Sequence, residues 1–174
     1  AALWATGEFW WQIPPSVQVV LEGKLSEGAS GKDLIIALCG LFGSEVLNAA
    51  VEFAGPGVAS LSMDARMSIA NMTTEWGALV GWFPVDSVTL DWIRSRRRTI
   101  GAAGFLRFSD ADLDGWAKRP PAPDRDAPFA ARIRIDLAQV VPHISGPDSV
   151  QVATPLHEIE ARRIAINKAY LVSC

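Results

Sequence analysis

Apolar and polar positions along the chain fall into two alternating periods. Val17-Gln18-Val19-Val20-Leu21, Ala49-Ala50-Val51-Glu52-Phe53 and Leu79-Val80-Gly81-Trp82-Phe83 are short and β-rich, and each predicts a strand. Between them, Leu34, Ile35, Leu38, Leu41 and Phe42 recur at helical spacing and predict a helix from about 31 to 43. Ser30 and Asp33 have capping-box form at its start. A second helix is predicted from about 63 to 76, with Ser62 as N-cap, Asp64 near the positive end of the dipole and Leu61 as a staple. Gly77 is placed to stop it in the left-handed conformation. Asp86 caps a short helix through about Arg94, and Ser109 with Asp112 starts another to about Ala117. Phe129, Ala131, Ile133, Ile135 and Leu137 alternate with Arg132, Arg134 and Asp136, the pattern of a half-buried strand. Pro155 to Arg163 reads as helical and Lys168 to Ser173 as a last strand. Helices alternating with strands predict an α/β fold.

Composition narrows the class of protein. The chain has 174 residues, 49% hydrophobic and 20% charged, which is ordinary for a globular protein and enough for a real core. Lys and Arg number 16 against 19 Asp and Glu, a net charge of −3 that argues against a dedicated nucleic-acid binder. No apolar run approaches the ~18 residues of a membrane span. Cys39 and Cys174 lie far apart and suggest no disulfide framework. The chain opens on Ala1 without Met and closes on Cys174, directly behind an apolar run, so a piece of a longer protein is expected.

Candidate chemistry is sparse. Asn71 and Glu75 stand four apart on the second predicted helix, one turn from each other on one face. Spacing admits two readings, a solvated face or a polar stripe lining a cleft. Cys174 follows a predicted strand, where α/β sheets gather ligands, and could be a metal-ligating thiolate or a small core residue. Cys39 reads as core, and His143 and His157 as loop or surface residues without ligand partners. Arg94 and Arg96-Arg97-Arg98 read first as a solvated helix end, with an anionic partner as the alternative. No phosphate-binding loop, dinucleotide fingerprint or nucleophile elbow is present.

Gly31-Lys32-Asp33-Leu34, Ala50-Val51-Glu52-Phe53-Ala54-Gly55-Pro56-Gly57, Leu61-Ser62-Met63-Asp64-Ala65-Arg66-Met67, Asn71-Met72-Thr73-Thr74-Glu75-Trp76-Gly77-Ala78 and Leu171-Val172-Ser173-Cys174 resemble the aconitase superfamily in order and spacing. In detail the chain is similar to the fungal homoaconitase branch, and isopropylmalate isomerase large subunits share the Leu-Ser-Met…Arg-Met element. The resemblance implies a three-layer α/β/α iron–sulfur domain region. It implies a [4Fe-4S] cluster with Cys174 as its first cysteine ligand, Asn71 lying against the cluster, and Glu75 near the hydroxyl that leaves and returns. It implies a hydro-lyase interconverting homocitrate and homoisocitrate through homoaconitate, on the aminoadipate route to lysine, in the mitochondrion. The partners it implies are a small tricarboxylic acid and the rest of the same polypeptide, with no membrane. True aconitase or isopropylmalate isomerase is the alternative enzyme, and a structural or RNA-binding relative the non-enzyme one. One cysteine cannot hold a cluster, so this piece alone is expected to be inactive. The implied organisation is residues 1–28 as the tail of a first domain, 29–118 as a second α/β domain, 119–128 as a Pro-rich linker and 129–174 as the start of a third.

Overall fold

The computed structural model describes residues 2–102, 104, 107–124 and 126–172. Its centre is a four-stranded parallel sheet in the order β3-β2-β1-β4, built from β1 (Ser16–Glu22), β2 (Ala50–Ala54), β3 (Val80–Trp82) and β4 (Ala131–Asp136). Val17 pairs with Val51 on one side and Ala131 on the other, which sets the register. Every second residue of β1 and β2 is buried: Val17, Val19 and Leu21, then Val51 and Phe53. The period-2 pattern therefore reports one sheet face, and α2 (Gly31–Phe42) and α3 (Met63–Asn71) cover it with Leu34, Ile35, Leu38 and Ile69. On the opposite face Gln18, Val20 and Glu52 are half-buried. The parallel sheet with flanking helices bears out the α/β class.

The sheet draws its strands from three of the segments that composition sets apart. β1 comes from the 1–28 piece, β2 and β3 from 29–118, and β4 from 129–174, yet the four are hydrogen-bonded neighbours. The Pro-rich stretch is a connection between α5 (Asp110–Lys118) and β4, and Pro121 and Pro123 line a cavity with Ala50, Glu52 and Trp82. Composition marks such a stretch as irregular, but it carries no information on strand pairing, which is non-local.

Other departures are local. α4 runs Ser87–Ala102, well past Arg94, because arginine is a good helix former and the run is paired within and between helices. α3 ends at Asn71, and 72–77 form turns. Residues 168–172 are irregular and exposed, so the expected last strand is absent from the described residues. The apolar alternation there is too short to make a strand without a neighbour to pair with. A hairpin of β5 (His143–Ser145) and β6 (Ala153–Pro155) seats on α2 and leads into α6 (Leu156–Ala161). A short helix α1 (Ala2–Thr6) begins the chain and buries none of its residues.

Candidate functional site

The segment 71–78 is held rather than merely extended from its helix. Ser62 caps α3 by accepting from the Ala65 N–H. After Asn71, Thr73 turns inward, 2% exposed, and its Oγ1 donates to the Ala70 carbonyl at 2.8 Å. A hydroxyl that competes for a helical carbonyl favours a helix end. The Ala78 N–H donates to Thr73 O, and Gly77 takes a φ of 97°, closing this turn where it was expected to stop the helix, which ends at Asn71 instead. Met72 and Trp76 are buried, while Asn71, Thr74 and Glu75 are exposed. The pair is thus carried on a turn whose alternate residues are anchored in the core, and the expected continuous helical stripe is corrected to a helix end and the turn after it.

That turn lies at the amino edge of the sheet. The Asn48 N–H, just ahead of β2, donates to Gly77 O, and the Leu79 N–H, just ahead of β3, donates to Ala49 O. Ligand crevices of open α/β sheets form at the carboxyl edge. At that edge a cavity of about 440 Å³ is lined by Ser30, Lys32, Ser60, Ser62 and Asp64. Its serine hydroxyls have partners within the chain: Ser30 on Asp33, Ser60 on Gly57 O, and Ser62 on the Ala65 N–H. Asn71 and Glu75 accordingly face away from the crevice that this sheet builds by itself.

Cys39 is fully buried on α2, and its thiol is pushed up to about 11 by burial first and by the Glu75 charge second. It is a core residue. Cys174 lies outside the described residues. Among the described residues no group of three or more His, Cys, Asp or Glu is placed to hold a metal ion. These residues alone do not fit an iron–sulfur cluster. His143 begins β5, with Nδ1 at Val141 O, and His157 is exposed.

The sequence reading assigned no role to Arg66, although the Leu-Ser-Met-Asp-Ala-Arg element contains it. Its side chain is 1% exposed. It grips Asp86 with two bonds of 2.7 Å and donates to Leu61 O, Val58 O and Thr89 Oγ1. The guanidinium holds the Asp86 carboxyl below the usual range, assisted by the Thr89 N–H. An arginine in the middle of an otherwise apolar helical face is the signal that could have exposed this clamp. The distal arginine run is mostly spent locally: Arg94 pairs with Asp91, Arg97 with Asp110, and Arg96 lies over the Trp92 ring.

Residues 1–171 match the model of the aconitase family (aconitate hydratase). The chain belongs to the aconitase family. It is 53% identical over 177 residues to a mitochondrial homoaconitase of Eremothecium gossypii, and 51% identical over 187 residues to one of Mycosarcoma maydis. A mitochondrial homoaconitase of Candida albicans is 46% identical over 176 residues. Each alignment covers the whole of this chain and 26% of the relative. The chain thus spans about a quarter of the length of these relatives.

Proposed function

We propose that this aconitase-family chain is part of a mitochondrial hydro-lyase that interconverts homocitrate and homoisocitrate through homoaconitate. The observation that carries the reading is the similarity of this whole chain to a quarter of the length of fungal homoaconitases, identical at about half of the aligned positions. The exposure of Asn71 and Glu75 supports it, because two polar side chains on a core-anchored turn are free to meet a substrate presented from outside this chain. No helix of the described residues is long and apolar enough to cross a membrane, and a small tricarboxylic acid is the partner proposed.

A [4Fe-4S] cluster, when bound, supplies a Lewis acid for the leaving hydroxyl. Cys174 is proposed as one of its ligands, the others lying elsewhere in the full-length protein. Within this chain, the Glu75 carboxylate accepts a hydrogen bond from the hydroxyl or water at the carbon that loses water, and the Asn71 amide orients the neighbouring polar groups. Both wait on elements from the rest of the polypeptide to close the pocket, since the turn is on the open amino edge.

In the full-length protein, Glu75→Gln is expected to lower kcat by roughly 10²–10⁴-fold, the usual worth of a positioned acid–base group, while cluster absorbance persists. Unchanged turnover of homoaconitate would remove Glu75 from the reaction. Turnover of an isopropylmalate in place of homoaconitate would move the chain to that branch of the family.

A further inference from the structure

Thr73 and Gly81 face each other where the turn meets the sheet. Gly81 is the middle residue of β3 and pairs with Val51. A Cβ built on Gly81 would stand 2.7 Å from Thr73 Oγ1, 2.8 Å from Thr73 Cγ2 and 3.0 Å from Ala70 O. No side chain other than hydrogen fits there without moving the turn. Thr73 in turn is tied to α3 through the Ala70 carbonyl and to the strand that follows through the Ala78 N–H. One buried threonine therefore touches the helix end, the turn and β3.

We propose that Thr73 and Gly81 form an interlock that positions Glu75 for its role in the reaction. The inference rests on the reading of Glu75 given above. Glu75 lies two residues beyond Thr73, inside the loop closed by the Thr73–Ala78 hydrogen bond, so a shift of Thr73 moves it directly. Adjacent Trp76 is fully buried against Phe42, with ring centroids 6.4 Å apart, so the turn is pinned on its other side by α2. A push from Gly81 therefore acts on a turn held at Thr73 and at Trp76, with the exposed Thr74 and Glu75 between them.

The test uses the full-length protein and four variants. Gly81→Ala is expected to lower kcat on the order of ten- to a hundredfold, the cost of misplacing a reacting group by about 1 Å. It should also speed amide hydrogen exchange in the peptide covering 70–79, with α2 and β1 unchanged. Adding Thr73→Ala removes both side-chain atoms that the new methyl meets, leaves it 3.0 Å from Ala70 O and gives up the Thr73 hydroxyl bond, and should recover part of the kcat and of the protection. In a Glu75→Gln background, Gly81→Ala should cost less than about threefold, because the group it misplaces is already gone. An equal loss in both backgrounds, or failure of Thr73→Ala to rescue, would overturn positioning through this pair. If Glu75→Gln alone leaves kcat intact, the reading of Glu75 and the positioning role fall together. Exchange that is faster in Gly81→Ala and restored in the double variant would then show the interlock to be purely structural.

Discussion

Arg66 ties α3 to the segments on either side of it. Five donors find four different acceptor groups within one buried pocket, and planar fork geometry is what lets the two bonds to Asp86 form together. Replacement by Met keeps the volume but leaves the half-buried Asp86 carboxylate with Thr89 alone, the Val58 carbonyl with the Leu61 N–H alone, and takes the Arg66 donor from the Leu61 carbonyl. Removing one partner of a buried pair costs about 3–5 kcal/mol, and the partial exposure of Asp86 puts this pair at the lower end. Arg66→Met should therefore accelerate amide exchange in 58–72 and 86–92 of the full-length protein by two orders of magnitude or more. Arg66→Lys, a single point charge, should recover only part of it. Exchange unchanged in Arg66→Met would show that the clamp contributes no stability. Gly55 illustrates the same scale from the backbone side. Its φ is 93° and an added Cβ would meet Leu21 O at 2.5 Å, so Gly55-Pro56-Gly57 is a crossing tight against β1 as well as a turn.

At the scale of elements, α2 is the hub, touching α3 on one flank and the β5–β6 hairpin on another. Glycine contacts set both distances. Gly31 lies against Ala65 and Gly40 against Ala153, where an added Cβ would come within 2.8 Å of Ala65 O and 2.5 Å of Ala153 Cβ. A mid-helix glycine costs up to ~1 kcal/mol against alanine, so Gly40→Ala would be stabilising on propensity alone. The hairpin reverses that expectation: Gly40→Ala should loosen 143–155, seen as limited proteolysis in that span, and Ala153→Gly in the same chain should restore resistance. Resistance unchanged in Gly40→Ala would mean that the hairpin does not depend on this contact. The elements themselves were largely legible, because strands β1, β2 and β4 and helices α2, α3 and α5 carry clean periodicity and caps. The hairpin was missed because Pro142, Pro147 and Pro155 mask three-residue strands. The end of α4 was misread because a run of four arginines resembles a helix terminus until Asp91, Trp92 and Asp110 are seen to absorb it.

For the whole molecule, the pairing of β4 with β1 makes one unit of segments that composition divides. It brings residues more than a hundred positions apart into register, and local pattern contains no trace of it. The candidate site was legible to the extent that Asn71 and Glu75 lie exposed at a helix end and the turn after it; that the turn lies on the amino edge, beside Thr73 and Gly81, depended on the sheet order. Asp33 shows how the distant segment is secured. Its carboxylate accepts from the Ser30 N–H and hydroxyl at the start of α2, and from the His143 N–H at the start of β5. Partial burial pushes its carboxyl up, but the bonds from Ser30 and His143 outweigh this and hold it below the usual range. A carboxyl with a lowered folded value binds its proton more weakly in the native state than in the unfolded one. Its contribution is therefore complete above the unfolded value of about 4 and disappears as pH falls through the lower folded value. Asp86, lowered by Arg66, acts in the same window and the same direction. The two can be separated by place. Asp33→Asn should loosen 143–145 at pH 7 and flatten the acid response of that peptide below about pH 4, leaving the Arg66 region to respond as before. An acid response of 143–145 that persists unchanged in Asp33→Asn would assign it to another carboxyl and remove Asp33 as the tie between α2 and β5.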